Sequence, residues 1–177
     1  HYVTQLQKFI QVDIYGKCGN FSCPRNEMHW ISEPQCYVKL AANYKFYLSF
    51  ENSICTDYVT EKFFDILQHD MIPIVLGGAD YSRIAPPHSF IDAGQFEPKQ
   101  LADYINKLDA DDALYAEYFQ WKTDYRVESG FAQMARHGFC DLCAKLHNKH
   151  EQIKYYDSLV SEWAVEKQCK QPSFDHE

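Results

Sequence analysis

Five polar residues whose side chains can bind an anion or sugar hydroxyls lie close together near the middle of the sequence. They are Glu51, Asn52, Tyr58, Glu61 and Lys62. A carboxylate accepts hydrogen bonds from hydroxyls, and an ammonium group meets a phosphate as a compact charge. At the start of a helix, Glu61 suits the positive dipole end, whereas Lys62 opposes it until an anion binds there. A solvated Glu–Lys pair explains the same residues, so the spacing alone leaves both interpretations open.

The flanking residues predict the elements that hold these side chains. Phe46–Phe50 is a short apolar run, long enough for a buried strand and too short for a helix. Thr60 is a good N-cap residue, and the helix after it carries its apolar residues on one face. Residues 71–76 form a second apolar run, which Gly77 ends. This order predicts a parallel βαβ crossover, and ligands of such sheets bind beyond the carboxyl ends of the strands.

The same stretch resembles the signature of a known enzyme family. Residues 50–53 (FENS) and 57–64 (DYVTEKFF) are similar to the central motif of the α1,3-fucosyltransferases, glycosyltransferase family 10. The similarity covers most of residues 1–150 and includes three further segments: residues 12–16, 72–77 and 85–91. The resemblance implies an α/β fold, the Rossmann-like C-terminal domain of a GT-B glycosyltransferase, with a parallel sheet flanked by helices. We therefore expect a donor-binding domain over residues 1–150 and a C-terminal helix and tail over residues 151–177.

The resemblance also implies a reaction: inverting transfer of L-fucose from GDP-fucose, in α1,3 linkage, to N-acetylglucosamine of a glycoprotein glycan. Glu61 would bind the ribose hydroxyls, Lys62 the diphosphate, and Asn52 a phosphate or the fucose. Tyr58 would pack against the nucleotide, and Glu51 belongs to the same donor site without a defined role. No cofactor and no metal is implied. The family's catalytic base and a phosphate-binding arginine come from the N-terminal side, so we expect no catalytic residue in this chain and no activity of it alone.

Length, composition and charge limit the function further. The chain has 177 residues, 46% of them hydrophobic, so it can bury one good core. Its net charge of −8 argues against nucleic acid as the main partner. No run of 18 apolar residues occurs, and the first residue is His1. With the resemblance, we expect a fragment of a Golgi-lumen, single-pass type II membrane protein whose anchor is absent from this chain. Its expected partners are GDP-fucose and a glycan acceptor. The resemblance leaves core N-glycan, antennal and protein-linked acceptors open, and Phe139-Cys140-x-x-Cys143, which resembles core-type enzymes, favours the first.

Seven cysteines are typical of a protein from an oxidising compartment. Cys18, Cys23, Cys36 and Cys55 lie within one segment, where local disulfides are expected and three pairings are open. The segment also contains one glycosylation acceptor, Asn20, which agrees with the secretory pathway.

A later group of residues allows two interpretations. Cys140 and Cys143 are followed by His147 and His150, four residues of zinc-binding types, but only three residues separate the pairs, which strains a tetrahedral shell. In the resembled family a late CxxC is disulfide-bonded, which implies a bond between these two cysteines here. Two alternative functions remain: a non-catalytic Cys/His zinc-binding module, and a different nucleotide-sugar transferase on the GT-B fold.

The remaining patterns predict further strands and helices, and one of them matches a metal-binding motif by its residue types. Residues 11–15 and 89–92 are predicted as strands, residues 36–42 as a short helix or turn, and residues 151–166 as a final helix. Pro98 suits the first position of another helix. Asp109-Ala110-Asp111 matches a metal-binding DxD pattern but falls between two predicted helices, where acids serve as caps. We therefore predict no metal there.

Overall fold

A computed structural model of the chain describes residues 1–23, 34–150, 152, 154–162, 164 and 168–170. The helices and strands in these ranges, in chain order, are α1 (Tyr2–Leu6), α2 (Pro34–Ala41), β1 (Phe46–Phe50), α3 (Glu61–Leu67), β2 (Ile72–Leu76), β3 (Ile91–Asp92), α4 (Pro98–Ala110), α5 (Asp112–Glu117), α6 (Phe131–His147) and α7 (Leu159–Glu162). Short 3-10 turns cover Tyr81–Arg83, Ala93–Gln95 and Gln120–Thr123.

The three strands form a parallel sheet in the order β1-β2-β3. Leu48 of β1 is opposite Ile74 of β2, and Ile74 is opposite Ile91 of β3. Parallel neighbours need a crossover connection, and α3 supplies it between β1 and β2. The predicted βαβ unit is therefore confirmed, and so is the α/β class with a parallel sheet flanked by helices.

β2 lies at the centre of the core because both of its faces are covered. Ile72 and Ile74 pack in a cluster with Leu6 of α1 and Leu101 of α4. Val75 points to the opposite face, where it packs with α3. Successive side chains of a strand alternate between faces, so an all-apolar strand such as β2 requires a layer on each side.

The prediction that Asp111 acts as a cap is confirmed. Its carboxylate accepts hydrogen bonds from the backbone N–H groups of Ala113 and Leu114 at the start of α5. Asp109, the other acid of the DxD pattern, forms an ion pair with Lys45 at 3.3 Å. Both acids therefore have structural partners on the surface of the fold.

The strand predicted at residues 11–15 is wrong. These residues have no strand assignment, and Tyr15 forms only an isolated bridge with Phe21 among the described residues. The apolar alternation is present, but a strand also needs a neighbouring strand within hydrogen-bonding distance.

The predicted final helix is mostly wrong, and a longer helix before it was missed. Residues 152 and 154–158 are not helical, and only α7 forms within the predicted range; residues 151, 153, 163 and 165–167 lie outside the described part of the chain. α6 contains Gly138, a poor helix former, and its apolar residues are too sparse for a clear stripe. In the described ranges no helix is both long and apolar enough to span a membrane.

Candidate functional site

The candidate site lies at the carboxyl ends of β1 and β2, where the first turn of α3 begins. The backbone N–H of Glu51 donates to the carbonyl oxygen of Leu76 at 3.0 Å, so the first residue after β1 is held against the last residue of β2. The buried hydroxyl of Ser49 donates to the carbonyl oxygen of Lys62 at 2.8 Å. These two bonds fix Glu51 and Lys62 beside each other.

Glu51 has a side chain with no exposed surface. Its two carboxylate oxygens accept hydrogen bonds from the backbone N–H and the hydroxyl of Thr60, each at 2.8 Å. Both ends of the loop between β1 and α3 are thereby joined. Thr60 occupies the N-cap position of α3 as predicted, but its side chain bonds Glu51 and does not cap the helix.

Lys62 lies above this buried carboxylate. Its Nζ is 3.1 Å from Thr60 Oγ1, 3.6 Å from Glu51 Oε2 and 3.8 Å from Glu61 Oε1. The side chain remains 27% exposed, and Glu61 is 42% exposed. A buried charge needs a partner, and Lys62 compensates Glu51 while its side chain keeps part of its surface exposed. From the sequence, Lys62 was expected to be unfavourable at the positive end of the helix dipole until an anion binds. The structure shows that the buried carboxylate of Glu51 already compensates its charge.

The loop between β1 and α3 is tied to a distant part of the chain. Cys55 forms a disulfide with Cys169 across a sequence separation of 114 residues. Two backbone bonds flank it: Thr56 N–H donates to the Gln168 carbonyl at 2.7 Å, and Lys170 N–H donates to the Ile54 carbonyl at 2.8 Å. The tail after α7 therefore holds the loop that carries Asn52 and Tyr58.

The local disulfide prediction is confirmed for Cys23 with Cys36 and is wrong for Cys55. Cys18 is a free, exposed thiol, and Cys169, which falls in the predicted C-terminal tail, bonds Cys55 instead. The only signal for Cys169 was the odd number of cysteines, because a bond across 114 residues leaves no local pattern.

Cys140 and Cys143 are free and exposed on α6, so the predicted bond between them is absent from this structure. In a helix, residues three apart have Cβ atoms about 5–6 Å apart, whereas a disulfide requires about 3.5–4.5 Å. Cys143 Sγ lies 3.9 Å from Nδ1 of His147, and that nitrogen also contacts the Cys143 carbonyl oxygen at 2.8 Å. Among the described residues no group of three or more His, Cys, Asp or Glu side chains could hold a metal ion.

Asn52 and Tyr58 are exposed on the loop, Tyr58 to 37%. Asp57 between them has a φ of 56°, a left-handed conformation that marks a tight turn just before Tyr58. The structure thus brings Glu51, Glu61 and Lys62 together and leaves Asn52 and Tyr58 accessible beside them.

Tyr81 is a residue of this region that sequence reasoning did not select. Its ring is 4% exposed, and its hydroxyl has no hydrogen-bond partner among the described residues. Burial, together with the charges of Glu51 and Asp92, raises the pKa of Tyr81 to about 12. The hydroxyl lies against Gly77, where a side-chain methyl would collide with it.

The sheet is open and parallel, and a cluster of polar side chains lies beyond the carboxyl ends of its strands. These features define an α/β domain of the class that binds ligands at the carboxyl edge of the sheet. Residues 1–163 match the family described as glycosyltransferase family 10 (fucosyltransferase) C-term. The chain belongs to this family, so the expectation from the central motif is confirmed.

Individual relatives agree with this family. The chain is 46% identical over 163 residues to alpha-(1,3)-fucosyltransferase C of Drosophila melanogaster, covering 90% of this chain and 36% of that protein. It is 43% identical over 168 residues to glycoprotein 3-alpha-L-fucosyltransferase A of the same organism, covering 92% and 31%. It is 36% identical over 166 residues to human 4-galactosyl-N-acetylglucosaminide 3-alpha-L-fucosyltransferase FUT6, covering 92% and 42%. The chain therefore spans roughly a third of the length of these relatives.

Proposed function

We propose that this chain is the donor-binding part of an α1,3-fucosyltransferase. The enzyme transfers L-fucose from GDP-fucose, with inversion, to N-acetylglucosamine of a glycoprotein glycan. The names of the relatives support the reaction class, and the position of Lys62 supports the donor. The partly exposed Lys62 side chain, with its ammonium group held over a buried carboxylate at the strand ends, is the observation that carries the proposal.

Lys62 suits a diphosphate because its charge is already positioned. Glu51 and Thr60 hold Nζ from one side, and the side chain keeps 27% of its surface exposed. A hydrogen bond from an ammonium to a phosphate oxygen is charge-assisted and strong. When the sugar leaves, negative charge grows on the departing GDP, and a cation fixed in advance stabilises that charge more than it stabilises the bound substrate.

The neighbouring residues suit the rest of the donor. Glu61 has a half-exposed carboxylate beside Lys62, as binding of a ribose diol requires. Asn52 reaches a phosphate or the fucose, and Tyr58 packs its exposed ring against the nucleotide. Glu51 acts indirectly: its buried carboxylate positions Thr60 and Lys62 and does not touch the donor.

The proposal assigns the catalytic base to a part of the enzyme outside these residues, and it requires no metal. The domain limits, residues 1–150 for donor binding and 151–177 for the tail, belong to the same proposal. We place the enzyme in the Golgi lumen as a type II membrane protein. The two disulfides and the exposed Asn20 sequon support an oxidising, glycosylating compartment.

Calorimetric titration of the purified chain tests the donor. GDP should bind and release heat, and UDP should bind at least tenfold more weakly, because the guanine is the part that differs. Equal binding of both nucleotides would contradict the donor assignment, and stronger binding of UDP would favour a different nucleotide-sugar transferase on the same fold.

Lys62→Ala tests the site itself. We expect GDP affinity to fall at least tenfold, and the free energy of unfolding to fall by about 1–3 kcal/mol, since Glu51 then stays buried without its cation. Lys99→Ala is the matched control: Lys99 pairs with Asp103 at 2.8 Å on an exposed helix surface and should affect neither quantity measurably. Unchanged GDP affinity in the Lys62 variant would make Lys62 a purely structural partner of Glu51.

A further inference from the structure

The loop between β1 and α3 is held at its centre by two other segments of the chain. Thr56 forms a parallel bridge with Gly78, which follows β2, and Cys55 forms an antiparallel bridge with Cys169. A side chain on Gly78 would lie 2.4 Å from the Cys55 carbonyl oxygen, so the loop backbone lies directly against this glycine. The centre of the loop therefore lies between the end of β2 and a segment 114 residues later in the sequence.

We call that segment, residues 168–170, the tail strap. Besides the disulfide, its backbone makes two hydrogen bonds with the loop, one on each side of Cys55, at 2.7 and 2.8 Å. In an antiparallel pair, opposite residues that exchange no hydrogen bonds have the closest side chains, and Cys55 and Cys169 occupy such a position. The strap is thus joined to the loop by one covalent bond and two hydrogen bonds.

The position of Tyr58 depends on that of Cys55. The Tyr58 backbone N–H donates to the Cys55 carbonyl oxygen at 3.2 Å, which closes a turn, and Asp57 within this turn has the left-handed φ of 56°. Asn52 precedes Cys55 on the same loop. The residue that carries the disulfide therefore also holds the turn that presents Tyr58.

The hydrophobic core does not hold the centre of this loop. In the described part of the chain, none of residues 52–58 belongs to a cluster of buried residues, and most of their side chains are exposed. The hydrogen bonds from Thr60 to Glu51 join only the two ends of the loop. The strap and the contact with Gly78 are therefore the ties that keep the centre of the loop in one conformation.

We propose that the tail strap positions Asn52 and Tyr58 for the donor, an inference that rests on the proposed function above. A loop that is ordered in advance loses little conformational entropy when the nucleotide binds, whereas a mobile loop loses it at that moment. The strap therefore raises donor affinity through the loop side chains. It does not act on Lys62, which Glu51 and Thr60 hold independently.

Calorimetric titration with GDP tests this role in a variant whose Cys55 and Cys169 are both replaced by serine. GDP affinity should fall about three- to tenfold, because the loop side chains must then be ordered during binding. The matched control replaces Cys23 and Cys36 by serine. That disulfide belongs to the cluster around Met71, before β2, so the control should lose stability and keep its GDP affinity.

A double-mutant cycle separates positioning from a general loss of stability. Tyr58→Ala should weaken GDP binding about fivefold in the unaltered chain and less than about twofold without the Cys55–Cys169 disulfide, because the ring is then no longer held in place. Lys62→Ala should weaken binding by the same factor in both backgrounds. A disulfide that only stabilises the fold would leave the effect of Tyr58→Ala unchanged as well.

A milder variant keeps the test decisive if the serine variant does not fold. Lys170→Pro retains the disulfide and removes one hydrogen bond, from the Lys170 N–H to the Ile54 carbonyl oxygen. The extended conformation of Cys169 suits a residue before proline. GDP affinity should fall about two- to threefold in this variant, because the strap then holds the loop less firmly.

Two results would overturn the inference while the proposed function stands. The first is unchanged GDP affinity in a folded variant of the strap. The second is an equal effect of Tyr58→Ala with and without the disulfide. If the unaltered chain binds no GDP, the proposed function itself fails, and this inference fails with it.

Discussion

The βαβ unit formed by β1, α3 and β2 and the helix α6 both contain large apolar side chains, yet they differ in what surrounds those side chains. Phe63 of α3 is fully buried, with the rings of Tyr81 and Phe90 within 5.9 Å. On α6, Phe139 is 71% exposed and Leu146 is 77% exposed. An apolar side chain therefore contributes to stability only where a second element lies opposite and buries it.

The polar groups of the two regions show the same contrast. The Glu51 side chain is fully buried and accepts two hydrogen bonds from Thr60, whereas His137 Nε2 contacts Glu128 Oε2 at 2.7 Å near the start of α6 with both side chains more than half exposed. Exposed pairs contribute little to stability, while buried carboxylates are costly to disturb. Substitutions in well-buried parts of the molecule should consequently change the free energy of unfolding more than substitutions at exposed positions. Four paired experiments measure this difference.

The largest effect is expected from Phe63→Ala. Removing a fully buried ring leaves a cavity in the core and should lower the free energy of unfolding by about 3–5 kcal/mol. Phe139→Ala should change it by less than about 0.5 kcal/mol. Urea denaturation at equilibrium measures both. A cost above roughly 2 kcal/mol at Phe139 would show that α6 is packed against another surface in solution.

The next effect concerns the disulfide that ties the loop after β1 to the tail. Replacing Cys55 and Cys169 together by serine should cost about 2–4 kcal/mol, because the bond closes a long loop. Replacing Cys140 and Cys143 together should leave stability unchanged. Peptide mapping without reduction checks the pairing: Cys55 should be linked to Cys169, and both α6 thiols should be alkylated. A Cys140–Cys143 disulfide would restore the prediction made from sequence.

The third comparison uses two glycines. A methyl group on Gly78 would lie 2.6 Å from the Cys55 carbonyl carbon, and backbone atoms there cannot move aside cheaply. Gly78→Ala should therefore cost about 1–3 kcal/mol by overpacking. A methyl group on Gly138 of α6 would meet no atom of the described residues within 4 Å apart from its own helix backbone, so Gly138→Ala should stabilise the chain by about 0.5–1 kcal/mol through helix propensity. Thermal unfolding should show a lower melting temperature for Gly78→Ala and a higher one for Gly138→Ala. A destabilising Gly138→Ala would mean that α6 has a close neighbour.

The smallest effect is expected at Tyr81. Its buried hydroxyl has no partner among the described residues, so Tyr81→Phe should raise the free energy of unfolding by about 1 kcal/mol at neutral pH. The pKa of Tyr81, raised to about 12 by burial and by Glu51 and Asp92, adds a pH dependence. Below about pH 10 the Tyr81 hydroxyl stays protonated in both the folded and the unfolded protein. Between about pH 10 and 12 it loses its proton only in the unfolded protein, so the free energy of unfolding falls as the pH rises.

Denaturation curves from pH 8 to 12 measure this decline, which should be shallower in Tyr81→Phe. Tyr125→Phe is the control, because Tyr125 is 57% exposed. If Tyr81→Phe instead destabilises the chain at neutral pH, the hydroxyl has a partner such as a buried water.

Prediction from the sequence succeeded where the signal is local. β1 was predicted with its observed limits, Phe46–Phe50, and Thr60 was predicted as the residue before α3. It failed where an element depends on a neighbour far along the chain. Residues 11–15 have the pattern of a strand but no strand partner among the described residues. α6 was missed for a different reason, because its apolar stripe is weak.

For the site, the sequence by itself determined the family, the residue types and their place at the end of a strand, because all of these lie within one continuous motif. Only the tertiary structure decided what each residue touches. It buried Glu51 against Thr60, placed Lys62 above that carboxylate and joined Cys55 to Cys169. The physical reason is that burial and charge compensation depend on distances between residues that are remote in sequence or on different turns, and composition and spacing do not contain those distances.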